Sequence, residues 1–385
     1  MDYVIKFNIL NGEKNDNYHI EHQLKTKIID MHSGISYIDF AINYLALPLS
    51  KMWISGGNPS LFNMEKIDIV IVGGGPIGIA CGLEAKKKGL NYVILEKGPI
   101  VNSLYNYPIN MQFFSSSERL EIGNVPFISN EAKPRRNEAL EYYRRIVTGN
   151  ELNIRLFEKV LEVNKFNEGF TIASDKGSYT AAHVIIATGF YDLPNLLNIP
   201  GEKLPKVSHY YKDPHFYASQ KLTVIGASNS SVDAALESYR KGADVTLVVR
   251  EPEIGKRVKY WVRPDIINRI EEGSIKAYFN SNVKEIQEDK VIIDTPEGIV
   301  HLKNDFVLAL TGYMPDFDFL TKMGINLSND EKRLPEYDPN TMETNVTGLY
   351  LAGVICGGME THKWFIENSR IHAQLIMTSI LERKQ

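Results

Sequence analysis

Ile67-Asp68-Ile69-Val70-Ile71-Val72-Gly73-Gly74-Gly75-Pro76-Ile77-Gly78 is the stretch on which the fold turns. Ile67 to Val72 is apolar except at Asp68, the pattern of a strand covered on both faces in a parallel sheet. In the loop that follows, Gly73 permits a tight turn, Gly75 lets the backbone approach a pyrophosphate, and Gly78 lets the next helix pack close to the strand. A helix through Ile79, Leu83 and Ala85 should end at Gly89, with unpaired amides and the positive dipole end at its start. A second strand, Asn91 to Leu95, finishes in Glu96, about 20 residues beyond the glycines, where a carboxylate bonds ribose hydroxyls. That acid would repel a 2′-phosphate, so the site suits FAD or NAD over NADP. Gly73, Gly75, Pro76, Gly78, Glu96 and the adjoining Lys97 are its candidate cofactor-binding residues.

The pattern returns further along the chain. Lys221 to Ile225 reads as a strand, Gly226-Ala227-Ser228-Asn229-Ser230-Ser231 as a small-residue turn, and Val232 to Arg240 as an amphipathic helix closed by Gly242. Only the first glycine remains, but Ser228 and Ser231 are small enough for close approach. The next strand, Ala243 to Val249, ends in Arg250 at the place taken by Glu96 in the first unit, with Lys256 and Arg257 shortly after. A guanidinium pairs bidentately with phosphate, so this unit is expected to select NADPH over NADH. Gly226, Ser228, Asn229, Ser230, Arg250 and Arg257 are its candidate residues.

His183 to Gly189 and Asp305 to Gly312 are buried strands ending in Thr-Gly, and Gly348 to Gly353 is a third, followed by a helix from about Thr361 to Leu381. Their ends place Thr188, Gly189 and Gly353 beside a bound cofactor. The expected fold class is α/β, with two Rossmann-like dinucleotide-binding domains, the NADPH domain inserted into the FAD domain. Residues 64–190 and 312–385 form the FAD-binding domain and 191–311 the NADPH-binding domain. At roughly 150 residues per domain, 385 residues accommodate this plan. Residues 1–63 read as an N-terminal extension, poorly ordered or not translated natively. Its most apolar part, Ile35 to Ser55, is either an amphipathic helix or disordered, since Asp39, Asn43, Pro48 and Lys51 interrupt it as a membrane span.

With 43 basic and 47 acidic residues the chain lacks the broad positive field that nucleic acid or an anionic membrane would require. The opening Met1-Asp2-Tyr3 is unlike a signal peptide, and two cysteines, Cys81 and Cys356, fit a reducing cytoplasm without a C-x-x-C pair. Nine histidines show no paired ligand spacing, which argues against metal catalysis; His362 and His372 lie ten apart on the expected last helix.

Gly73-Gly74-Gly75-Pro76, Ala187-Thr188-Gly189, Thr311-Gly312-Tyr313-Met314-Pro315-Asp316 and Leu351-Ala352-Gly353 resemble the two-dinucleotide-domain flavoproteins that include thioredoxin reductases. The closer likeness, over about Met64 to Leu381, is to the YpdA-type bacillithiol disulfide reductases. It is carried by Tyr105-Asn106-Tyr107-Pro108, Phe113-Phe114-Ser115-Ser116-Ser117, Val125-Pro126-Phe127, Lys133-Pro134-Arg135-Arg136-Asn137, Leu204-Pro205-Lys206-Val207, His209-Tyr210 and Phe365-Ile366-Glu367-Asn368.

The resemblance implies an FAD-bound, NADPH-consuming homo-oligomer of the cytoplasm that reduces a small-molecule thiol disulfide such as bacillithiol disulfide. It also implies that Ser115 and Ser116 contact flavin, against a polar turn read from the residues alone. Lys133 to Asn137 is a phosphate site or a charged helix start. The family's cysteine after Gly-Gly-Gly-Pro is Ile77 here, and the aspartate of thioredoxin reductases after the last Ala-Gly is Val354. The catalytic residue is therefore unassigned. Cys81, one helical turn beyond position 77, and Cys356 are each either packing or redox-active. A flavin-containing monooxygenase-like enzyme using oxygen is the alternative, since Ile199-Pro200-Gly201 and His209-Tyr210-Tyr211 resemble its signature at a longer spacing. A flavin-bound sensor without turnover is a third.

Overall fold

The computed structural model describes residues 65–383, so the expectations for the N-terminal extension lie outside the described residues. The first lobe opens with β1 (Glu65–Val72), whose Ile69, Val70 and Ile71 are wholly buried. Parallel neighbours pair with both of its edges, and its side chains sit inside the larger hydrophobic core. α1 (Pro76–Lys87) follows the glycine loop with Pro76 in its first turn, where a missing N–H costs nothing. It leads to β2 (Tyr92–Glu96), all five residues buried. After α2 (Arg136–Gly149) come β3 (Ile154–Leu156), β4 (Val160–Phe166), β5 (Gly169–Ser174) and β6 (Ser178–Ile186). The parallel order is β3-β2-β1-β6, and β4 and β5 continue antiparallel from the start of β6.

β7 (Leu193–Pro194) carries the chain out, and the second lobe begins with β8 (Val207–Ser208). β9 (Lys221–Ile225), α3 (Asn229–Arg240), β10 (Asp244–Val248), α4 (Arg263–Glu271) and β11 (Lys276–Tyr278) repeat the plan of the first lobe. An antiparallel layer, β12 (Asn282–Ile286), β13 (Lys290–Thr295) and β14 (Gly298–Lys303), precedes β15 (Phe306–Ala309). The second sheet runs β11-β10-β9-β15-β8, parallel throughout. β16 (Tyr313–Met314) pairs antiparallel with β7 and returns the chain, through α5 (Phe317–Lys322), to the first sheet. There β17 (Leu349–Leu351) takes the C-terminal half of β6.

The two lobes are equivalent down to single hydrogen bonds. Gly73 N–H donates to the Leu95 carbonyl at 2.9 Å and Ala187 N–H to Val72 at 2.8 Å; Gly226 donates to Val248 at 3.0 Å and Leu310 to Ile225 at 3.0 Å. This α/β doubling follows the apolar runs read in the sequence. The C-terminal helix does not. Instead of one helix from Thr361, there is a single turn, α6 (Ile366–Ser369), then a break at Arg370 and Ile371, then α7 (His372–Arg383). Two side chains account for the late start and the break. Asn368 Oδ1 accepts the Phe365 amide at 2.7 Å, so the helical start is capped there, and Arg370 is drawn aside to the carbonyls of Glu118 and Glu121. His362 therefore lies outside both helices.

Close packing of α1 on β1 depends on Gly78, where an added Cβ would stand 1.9 Å from the Gly73 carbonyl oxygen. Gly78→Ala should therefore cost on the order of 3 kcal/mol or more, read as a fall in calorimetric Tm; an unchanged Tm would mean that α1 has room to move away.

Candidate functional site

At the first glycine loop the backbone does the work. Gly73 has φ +108°, and a Cβ there would meet the Ala187 carbonyl at 2.6 Å, so β1, α1 and the end of β6 converge in a space too small for any side chain. Gly75, by contrast, faces nothing within 4 Å. That open space lies at the N-terminus of α1, where free amides and the helix dipole favour an anion. The buried Glu96 carboxylate stands at the rim. Oε2 accepts the Gly74 amide at 2.7 Å and Oε1 the Gly98 amide at 2.9 Å, so each oxygen keeps a lone pair for a hydroxyl. Burial pushes its pKa up, and the two amides pull it back.

Beside the loop, Thr188 Oγ1 is buried without a hydrogen-bond partner, and Gly189 (φ +73°) has Val354 as its nearest neighbour for an added Cβ, at 4.0 Å. Gly353 (φ +90°) closes β17 with Ile77 against it. The open space a Cβ on Gly75 would enter, an orphaned hydroxyl and a helix N-terminus fit the pyrophosphate and ribose of a dinucleotide. Three further candidates, Lys97, Ser115 and Ser116, lie outside this cradle. Lys97 pairs with Asp192 at 2.5 Å. Ser115 and Ser116 lead into a short turn, Glu118–Leu120, in which Ser116 hydrogen-bonds Glu118.

The second loop is built alike with different means. A Cβ on Gly226 (φ +126°) would meet the Leu310 carbonyl at 2.6 Å. Ser231, wholly buried where the first loop has Gly78, turns its hydroxyl onto the Ser228 carbonyl at 2.9 Å. Asn229 spends its amide on the segment that folds over the loop: Oδ1 accepts from Lys259 N–H at 2.9 Å and Nδ2 donates to the Arg257 carbonyl at 3.3 Å. Lys259 anchors that segment from below in a pair with Asp233 at 2.8 Å. Ser228 and Ser230 are exposed at the helix start.

One expectation is corrected by register. Because Gly226 bonds Val248 as Gly73 bonds Leu95, the residue in the place of Glu96 is Val249, 1% exposed, and Arg250 stands where Lys97 does. The swap is acid for valine. A 2′-phosphate here meets no buried carboxylate, while Arg250 is exposed and pairs with Glu251 at 2.9 Å, and Arg257 is exposed nearby.

Lys133 to Asn137 proves to be a helix start. Lys133 donates to the Phe114 carbonyl, Arg135 pairs with Glu131 at 3.1 Å, and Arg136 donates to the carbonyls of Leu104 and Tyr105. Neither thiol is poised for chemistry. Cys81 is fully buried with its pKa pushed up to about 12, and burial raises Cys356 likewise. Sequence reasoning missed His372 as anything but a discounted metal ligand. It is 1% exposed, its Nδ1 accepts the Gly353 amide at 3.1 Å, and burial pushes its pKa down to about 4. Among the described residues no cluster of metal-ligating side chains occurs, and no helix is long and apolar enough to cross a membrane.

Two nucleotide cradles, one with a buried acid and one without, define a flavin- and pyridine-nucleotide-dependent oxidoreductase. The chain belongs to the pyridine nucleotide-disulphide oxidoreductase family, whose model matches residues 70–353, and within it to the bacillithiol disulfide reductases. It is 44% identical to the bacilliredoxin reductase Bdr of Bacillus subtilis, over 82% of this chain and 98% of that one. The solved bacillithiol disulfide reductase Bdr (YpdA) of Staphylococcus aureus superposes with a TM-score of 0.82 at 43% identity, covering 84% of this chain and all of that one. A flavin monooxygenase mutant from Stenotrophomonas maltophilia, at 21% identity and a TM-score of 0.69, shares the fold alone.

Two measurements follow from this geometry. Gly75 has φ −71°, which alanine adopts freely, so Gly75→Ala should leave the Tm of flavin-free protein unchanged to within about 1 kcal/mol in stability. Flavin retained on purification should nevertheless fall sharply, because the methyl fills the cradle; full retention would place the pyrophosphate elsewhere. The buried neutral His372 makes stability depend on pH. Its folded pKa, about 4, lies below the ordinary 6.5, so its contribution is intact above pH 6.5 and is lost as pH falls toward 4. At about 1.4 kcal/mol per pKa unit the full loss is roughly 3 kcal/mol. Urea midpoints between pH 7 and 4 should show a loss in this window that His372→Asn lacks.

Proposed function

We propose that this protein is an FAD-dependent reductase that consumes NADPH and reduces a low-molecular-weight thiol disulfide such as bacillithiol disulfide, as a homo-oligomer in the cytoplasm. Residues 64–190 and 312–385 hold FAD, and 191–311 hold NADPH. The observation that carries this is the difference between the two matched strand ends: Glu96, buried and amide-held, against Val249 with Arg250 and Arg257 beside it. A carboxylate with spare lone pairs accepts the hydroxyls of a ribose, whereas a 2′-phosphate needs the acid gone and guanidinium in its place.

In this reading Gly73, Gly75, Pro76, Gly78 and Thr188 line the pyrophosphate and ribityl path, with Gly189 and Gly353 leaving room for the ring and Ser115 and Ser116 at its margin. Gly226, Ser228, Asn229 and Ser230 present the second helix start to the phosphates of NADPH. Bound flavin supplies the two-electron exchange between nicotinamide and disulfide. The balance is NADPH, a proton and one disulfide in, and NADP⁺ and two thiols out. The chain orients the two nucleotides, which is where positioning contributes most. The relatives include a bacilliredoxin reductase and a bacillithiol disulfide reductase; with both described thiols buried the enzyme offers no mixed-disulfide route, and a small disulfide that can approach the flavin itself is preferred.

Arg250→Ser with Arg257→Ser should weaken NADPH binding at least tenfold, about 1.4 kcal/mol, and NADH binding less than threefold. Anaerobic stopped-flow absorbance checks this, and the same instrument names the acceptor: NADPH-reduced enzyme should regain its oxidised spectrum with bacillithiol disulfide faster than with oxygen or a quinone. Equal losses for both nucleotides would remove the phosphate assignment, and fastest reoxidation by oxygen would favour a monooxygenase.

A further inference from the structure

The turn that closes β17 is held from behind by a side chain that the nucleotide chemistry leaves unused. Gly353 is buried, and its amide donates to Nδ1 of His372, the first residue of α7, at 3.1 Å. A ring nitrogen that accepts a hydrogen bond carries no proton, so the single proton of neutral His372 is on Nε2. Nε2 is itself buried without a hydrogen-bond partner. An unmet buried donor costs free energy that a leucine at this position would avoid. The histidine therefore brings something that packing alone does not require.

What it holds is the wall of the first cradle. The Gly353 carbonyl accepts from Cys356 N–H at 3.2 Å, which closes the turn, and a Cβ on Gly353 would meet Ile77 at 3.3 Å. Val354, next in the turn, is what a Cβ added to Gly189 would meet first, at 4.0 Å. The turn thus stands between the start of α1 and the end of β6, the two edges that frame the cradle. Trp364 packs edge-to-face on the imidazole with ring centroids 4.6 Å apart and fixes its plane. Cys356 Sγ lies 3.9 Å from the same Nδ1, so the thiol flanks the bond without replacing it.

We propose that His372 is the positioning residue of the flavin site: by accepting the Gly353 amide as the neutral, Nε2-protonated ring it fixes the 353–354 turn against Ile77 and Gly189, and so sets the surface on which the flavin ring rests. The proposal rests on the flavin assignment above. Burial keeps the ring neutral through the physiological range, so the bond does not switch with pH near neutrality.

The test compares His372→Leu, which removes the acceptor, with His372→Asn, whose Oδ1 can take the place of Nδ1. The readouts are FAD affinity of the apoprotein, by flavin fluorescence quenching, and the visible spectrum of bound FAD. The leucine variant should bind FAD at least tenfold more weakly and with a shifted spectrum, and the asparagine variant should return to within threefold of wild type. A folded leucine variant with wild-type affinity and an unchanged spectrum overturns the proposal, even if its Tm has fallen. Should that variant not fold, ¹⁵N NMR of the histidine ring in the wild-type protein decides: an unprotonated Nδ1 supports the proposal and a protonated one overturns it. Wild-type apoprotein that takes up no FAD overturns the flavin assignment and this proposal with it, whereas normal uptake with an insensitive leucine variant defeats the proposal alone.

Discussion

The structure depends on backbone meeting backbone where β1, α1 and β6 come together. A carbonyl from Ala187 occupies the place of a side chain on Gly73, and the Gly73 carbonyl occupies that of one on Gly78. Only this proximity brings the N-terminus of a helix flush with the end of a buried strand, so that its free amides open on a cradle instead of on a side chain. The second lobe shows that the contact, not the glycine count, is what must persist. Gly226 meets the Leu310 carbonyl as Gly73 meets Ala187, while Ser231 takes the third position by turning its hydroxyl inward onto the loop. A serine there is tolerated because its one polar atom finds a partner.

The two cradles differ in how they treat charge. Glu96 is buried, and a buried carboxylate persists only if its oxygens are met; two loop amides meet them, which also locks the loop to the strand end. Arg250 is exposed and paired with a neighbour that is also exposed, an arrangement that contributes little to stability and leaves the guanidinium available to a stronger anion. The first site is thus preorganised by its own acid. The second is held open by Asn229 and the Lys259–Asp233 pair, which position the covering segment and leave Arg250 and Arg257 in solvent.

What was legible in the sequence is what hydrophobic periodicity and glycine placement encode. The buried strands β1, β2, β9, β10 and β15 and both loops are continuous apolar runs with their punctuation, and they appear where those runs lie. Features set by partners distant in sequence were not legible. The break before α7 arises from Arg370 reaching the carbonyls of Glu118 and Glu121. Lys97 is drawn to Asp192, and Asn229 to a loop some thirty residues later. The one-residue offset that puts Val249 opposite Glu96 shows only in the hydrogen-bond register. His372 joins a residue on another element, and its spacing from Gly353 matches no motif. Its role becomes visible only once the acceptor, the amide and the orphaned Nε2 are seen together.

The position of the thiols sets the terms for the oxidative half of the reaction. Ile77, with Gly353 packed against it, puts a methyl-bearing side chain where the resemblance leads one to expect sulfur, and Cys81 lies a turn deeper in α1. Burial pushes the Cys81 pKa up to about 12, which keeps it a thiol at neutral pH, and thiol exchange proceeds through the thiolate. Cys356 is buried and shifted in the same direction, beside an imidazole that burial keeps uncharged and that therefore offers no cation to lower it. A relay through either cysteine would first require the α1 and β17 packing to open, and that packing also frames the cradle. Under the proposed function, then, the disulfide has to approach the bound flavin itself, and discrimination among acceptors falls to the residues around the flavin ring instead of to a reactive thiol.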